Sequence, residues 1–209
     1  MVSNKRLIEL AALVVFLGSG SVAGAASTNF AIVESKSSVR IHVGKSGAFS
    51  FAGHKHEVDA PVSGTVVADS ANLPGSSVAL TFVSARMRVL PEGEPKGDAP
   101  KVEAAMHGPK VLDVARFSEI TFRSKKVTGK ALAGSGYDLT VVGDLSLHGV
   151  TREITVPLKV TVEGRLLTAT GETALLQDQF GMERVSAAGG TVKVKNELGV
   201  SFRIVAEQR

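Results

Sequence analysis

Residues 151–164 read TREITVPLKVTVEG, and their alternation decides the fold class. Ile154, Val156, Leu158, Val160 and Val162 share one face of an extended chain, while Thr155, Lys159 and Thr161 share the other. A helix would scatter these positions around its circumference; a strand points alternate side chains to opposite faces. The pattern is that of an antiparallel strand with one buried and one solvated face. Pro157 has no N–H for a ladder, which predicts an edge or bulge position for it.

The same period runs outward in both directions. Val192, Val194, Leu198, Val200, Phe202 and Ile204 oppose Lys193, Lys195, Glu197 and Arg203. Tyr137, Leu139, Val141, Leu145 and Leu147 form a third face, Val78, Leu80 and Phe82 a fourth, and Ile120 and Phe122 a fifth. With residues 39–43, 54–69 and 165–177 the chain has about eight strands. Pro74-Gly75, Gly134-Ser135-Gly136, His148-Gly149, Glu163-Gly164 and Gly189-Gly190 punctuate them. Short strands so separated predict an all-β sandwich or closed barrel. Residues 44–52 fit neither period. Residues 98–114 begin with Asp98 and Pro100, suit a helix start, and place Val102, Ala105 and Met106 on one side until Gly108-Pro109 interrupts.

The first 25 residues have a different character. Lys5 and Arg6 precede an apolar run from Leu7 to Leu17 broken only by Glu9, and Ala23-Gly24-Ala25 follows. This order describes a secretory signal peptide cut after Ala25, its apolar run far short of the ~20 residues a membrane-spanning helix needs. The expectation is an exported protein of 184 residues, 26–209, folded as one domain without a transmembrane anchor. There is no cysteine, so disulfides, thiol chemistry and lipid attachment through Cys are excluded. Without Lys5, Arg6 and Glu9 the counts are 22 basic and 19 acidic residues. Mixed charges, one Tyr and no Trp leave no stacking platform for nucleic acid, despite a pI near 9.4.

Two features bear on function. Leu167, Ala169, Gly171, Thr173 and Leu175 form a face that is mostly small where neighbouring strands carry Leu, Val and Phe. An eight-stranded barrel is near the size that holds one small ligand, and a small stripe leaves volume unfilled unless a facing helix or Phe takes it. The second is GHKHEV at 53–58, which sets His54 and His56 on the apolar face with Val58, Val62 and Gly64. The pair could hold a metal, but zinc needs at least a third protein ligand and no acidic residue shares that face nearby. It could be a hydrogen-bonded pair at the strand's start, or line a cavity and meet a ligand's polar end. Asp113, Asp144 and Asp178 sit beside turns, where solvated or capping roles are expected. No Gly-x-Ser-x-Gly elbow and no Gly-rich strand-to-helix loop occurs, so an enzyme is not expected.

The stretches VLDVARFSEITFRSKKV (111–127), GDLSLHGVTREITVPLKV (143–160) and FGMERVSAAGGTVKVKNELGVSFRIVAE (180–207) resemble the YceI-like family of bacterial polyisoprenoid-binding proteins. The resemblance runs from about Phe30 to Glu207, and the Gly-His-x-His start resembles one subgroup. Ser118 stands where a Pro is usual, and Gln179 where an Asp usually precedes Phe-Gly. The resemblance implies a lipocalin-like extended barrel in the periplasm, holding a long-chain isoprenoid or another amphiphilic lipid and needing no cofactor. The Gly-x-Trp signature of true lipocalins cannot occur without Trp. The interior residues expected to meet the chain are His54, His56, Val58, Val62, Leu80, Phe82, Phe122, Leu139, Val141, Leu145, Val156, Leu158, Ala169, Gly171, Thr173 and Phe202. The rival expectations are a metal-dependent envelope enzyme built on His54 and His56, and a stress-related structural protein with an empty core.

Overall fold

A computed structural model describes residues 27–46, 55–92, 94–187 and 192–209. The signal segment, His54 and the Gly189-Gly190 turn lie outside the described residues. Twelve strand segments and one α-helix follow one another: β1 (Thr28–Ile32), β2 (Ser38–Ser46), β3 (His56–Asp59), β4 (Ser63–Ala68), β5 (Ser77–Val83), β6 (Arg88–Val89), α1 (Ala99–His107), β7 (Glu119–Ala131), β8 (Gly136–Leu147), β9 (Val150–Glu163), β10 (Leu166–Leu176), β11 (Ser186–Ala187) and β12 (Val192–Gln208). The strand pairings among the described residues are all antiparallel, and β1 joins both β4 and β12. The result is an eight-stranded antiparallel β-barrel with little helix: of the sandwich and the closed barrel that the period-two reading allowed, it is the barrel that the family resemblance implied.

Twelve segments make eight staves because three staves are each broken in two and the short β11 is only an appendage paired to β12. β1 and β2 both pair with β12, β4 and β3 pair with β1 and β2 in turn, and β5 and β6 continue the series. Residues 54–69 are thus not one strand: Ala60-Pro61-Val62 interrupts, since Pro61 has no N–H to give a ladder. Backbone groups are bonded at two of these breaks. At the turn between β1 and β2, Ser37 Oγ receives the Val205 N–H at 3.0 Å and donates to the Val33 carbonyl at 2.9 Å. At the turn between β5 and β6, the Ser84 N–H reaches the Ser118 carbonyl at 2.9 Å.

An Arg86–Glu34 ion pair ties two of these turns, with Arg86 Nη1 donating to Glu34 Oε2 at 2.9 Å. The guanidinium holds the Glu34 carboxyl below its ordinary value. A lowered folded pKa adds stability above the unfolded carboxylate pKa, and that stability is lost as pH falls through the lowered value. Arg86→Ala should therefore melt slightly below wild type at neutral pH, with the gap closing in acid. Parallel melts at pH 7 and pH 3 check this; an equal gap at both would mean the pair contributes nothing through charge. Both side chains are largely exposed, so the effect is small and salt-sensitive.

The upper end is closed differently from the lower. Short turns finish the lower end, whereas β6 is covered by α1, which begins at Ala99-Pro100 and stops at Gly108 before Pro109. The Val89 N–H on the open edge of β6 donates to Glu103 Oε2 of this helix at 3.0 Å. Val102, Ala105 and Met106 turn toward the barrel interior, as their spacing predicted. Asp113 is 7% exposed with a φ of 46°, so it is a buried turn residue and not a solvated one. Asp144 pairs with Lys125 at 2.7 Å on the outer wall, where Glu153 also reaches the ammonium and the two carboxylates raise its pKa. Asp178 is exposed in the Gln177–Phe180 turn, whose carbonyls receive the Gly181 N–H.

Pro157 meets its expectation in a specific way. β9 pairs with β8 from Val150 through Thr161, but with β10 only from Leu158 to Glu163. Pro157 is the first residue beyond the β10 pairing, where a missing N–H leaves no rung unmade.

Candidate functional site

The inward faces enclose one long apolar cavity of about 710 Å³. This falls inside the ~300–1,000 Å³ typical of small-molecule sites. Its wall is given by strand alternation: Val39, Ile41 and Val43 of β2, Leu80 and Phe82 of β5, and Ile154, Val156, Leu158 and Val160 of β9 all point inward at every second position. Val194, Leu198, Val200, Phe202 and Ile204 do so along β12. A two-residue register shift against β2 between Val194 and Leu198 keeps these residues on one face. From Val194 to Ile204, less the two residues of that shift, the wall runs about eight residues, ~26 Å along the strand at ~3.3 Å per residue.

Most of the expected interior positions reach this cavity. His56, Val58, Leu80, Phe82, Phe122, Leu139, Val141, Leu145, Val156, Leu158, Ala169, Thr173 and Phe202 line it. Two do not. Val62, 1% exposed, packs into the surrounding core and not at the cavity wall, because the break after Ala60 turns it away. Gly171 is covered: a Cβ there would lie 2.6 Å from Phe202 Cζ and 2.6 Å from the Pro157 carbonyl oxygen. Gly171 and Phe202 are register partners on β10 and β12, so the ring of one fills the space left by the other. The small stripe therefore divides. A facing Phe takes the middle, and open volume remains at Ala169 and Thr173.

The sequence also leaves out part of the wall. Glu94, Pro95 and Asp98, from the segment between β6 and α1, line the upper end with Lys101. Lys101 Nζ is 2.9 Å from Asp98 Oδ1. Glu94 Oε1 is 2.5 Å from His56 Nδ1, and the Glu94 side chain is 2% exposed. An acidic residue thus does reach His56, contrary to the expectation from its own strand, because it comes 38 residues later in the chain. Among the described residues no three His, Cys, Asp or Glu side chains gather as metal ligands. His42 bonds Ser201 Oγ at 2.9 Å, His107 the Met87 carbonyl at 3.0 Å and His148 the Phe180 carbonyl at 3.2 Å, each away from His56. Among the described residues no helix is long and apolar enough to cross a membrane.

Comparison with known proteins follows the same outline. The YceI-like domain matches residues 30–206. A UPF0312 protein of Vibrio parahaemolyticus is 38% identical over 80 residues, which is 38% of this chain and 34% of that protein. A UPF0312 protein of Yersinia pestis is 33% identical over 92 residues, 44% of this chain and 39% of that one. The match thus spans little more than a third of these curated relatives. Among solved structures, Burkholderia cenocepacia BcnA superposes with a TM-score of 0.62 at 21% identity, over 83% of this chain and 98% of that one. A polyisoprenoid binding domain from Saccharophagus degradans gives 0.60 at 14% identity, over 86% and 98%. At these identities the likeness is one of fold.

Proposed function

Because the chain belongs to the YceI-like family, we propose that it is an exported carrier that holds a long isoprenoid, or a related amphiphilic lipid, inside its barrel. The observation that carries the reading is the cavity: a barrel of this family whose interior can accept an apolar, lipid-like ligand along most of its length. The polyisoprenoid-binding description of the Saccharophagus domain supports the same class of cargo.

Magnitudes favour a long chain over a small terpene. Each buried methylene is worth ~0.8 kcal/mol, so one five-carbon unit gains roughly 3–4 kcal/mol gross. Association itself costs an estimated ~4–15 kcal/mol. Several units must be buried before binding becomes useful, and a wall of this length offers the room.

Native mass spectrometry of the protein isolated from the envelope of its own cell tests cargo, export and the metal rival together. The expected species begins near Ala26, carries a lipid adduct and holds no metal. Stoichiometric zinc lost on His54→Ala/His56→Ala substitution would favour the metal-dependent enzyme. An intact Met1 would overturn export by a cleaved signal, and protein with neither lipid nor metal would favour an empty structural barrel.

A further inference from the structure

The cavity is apolar along almost its whole length, yet one carboxylate is sealed into its wall. Glu94 is 2% exposed at its side chain and bonds the ring of His56, which lies on the inward face of β3 with Val58. A carboxylate offers only acceptors, so the proton of this bond sits on His56 Nδ1. That leaves Nε2 for another partner, and among the described residues it has none. The imidazole is 22% exposed, enough for a ligand inside the cavity to reach it.

The opposite end of the cavity offers less. Asp69 Oδ1 is taken by the Ala71 and Asn72 N–H groups, and Ser76 Oγ by the Asp69 N–H. Those side chains serve their own turn. At the upper end Lys101 is tied to Asp98. His56 is a position where hydrogen-bonding capacity meets the apolar wall beside a buried carboxylate.

We propose that His56, held in place by Glu94, is a head-group site for the hydroxyl of a long-chain alcohol, its tail lying down the barrel toward Val160 and Leu167. This deepens the carrier reading and rests on it. A hydroxyl both donates and accepts, so it satisfies Nε2 whether the ring carries one proton or two. A phosphate or carboxylate head would set negative charge close to the buried Glu94, where low dielectric makes like charges strongly repulsive. A pure hydrocarbon would seal Nε2 from water without a partner, at the cost of an unmade hydrogen bond.

Three probes of one length test this by calorimetric titration: a twenty-carbon isoprenoid alcohol, its pyrophosphate and the matching hydrocarbon. Wild type should bind the alcohol about tenfold more tightly than the hydrocarbon, the value of one hydrogen bond. His56→Leu should erase that preference while leaving hydrocarbon affinity unchanged, which a purely structural role for the pair would not do. Glu94→Gln keeps the shape and should shrink the preference; with the wild-type comparison it decides the matter if His56→Leu does not fold. Equal binding of alcohol and hydrocarbon, tightest binding of the pyrophosphate, or a preference that survives His56→Leu would overturn the assignment. So would its loss in Tyr137→Phe at the other end of the cavity. If none of the three probes binds, the carrier reading falls and takes the head-group site with it.

Discussion

Ala169→Phe should abolish tight binding of a long isoprenoid and leave the melting temperature of the empty protein nearly unchanged. Ala169 lies on the inward face of β10, opposite Ile204 of β12 and Val160 of β9, and lines the open part of the cavity. A benzyl side chain there occupies volume that cargo would otherwise take. Displacing one isoprene unit removes roughly 3–4 kcal/mol of gross burial, a loss of about a hundredfold or more in affinity. In a packed core the same insertion would cost typically ~1–3 kcal/mol of stability. Titration with isoprenoids of increasing length, beside thermal unfolding without ligand, separates the two. Weakened binding at constant melting temperature supports the cavity; a clear drop in melting temperature would show that Ala169 is already covered.

Two residues along the same strand the opposite result is expected. Gly171→Val should unfold the protein about 6–12 °C earlier, on a cost of ~3 kcal/mol at ~2–4 °C per kcal/mol for a chain of this size. The reason is the identity of the neighbours. Phe202 could rotate away from a new Cβ, but the Pro157 carbonyl oxygen, at 2.6 Å, belongs to the backbone of β9 and cannot. Adding Phe202→Ala to Gly171→Val should therefore restore little of the loss. A full restoration would place the whole conflict in the ring. A melting temperature within about 2 °C of wild type, on the same scale, would mean that β9 gives way freely there.

These two positions also show how far the sequence could be read. Period two identified most of the inward residues on the long strands, because alternation is local and survives whatever the strand pairs with. It could not say which residue faces which. Whether Gly171 leaves a void or shelters a ring depends on its register with Phe202, 31 residues later, and that is set by the barrel as a whole. The His56 partner was hidden for the same reason: Glu94 arrives from an irregular segment with no period to read. Short segments were missed too. β6 and β11 have two residues each, too few for any alternation to register. The continuous reading of 54–69 failed at Pro61, a signal that was present in the sequence and outweighed by the apolar pattern on either side.

The parting of β9 from β10 has a bearing on how the protein behaves among its own copies. From Val150 to Pro157, β9 is laddered on the β8 side alone. An uncovered strand edge is the usual template for another chain to add on and seed an aggregate, and a chain without cysteine has no disulfide to resist it. The composition of this stretch answers the hazard. Arg152 and Glu153 are exposed on it, and Arg152 also holds the Gln179 carbonyl at 3.1 Å, drawing the Gln177–Phe180 turn across the gap. Pro157 ends the edge with a residue that cannot donate to a newcomer. The residue that first marked this strand as unusual is thus also a stopper against fibril growth along the wall.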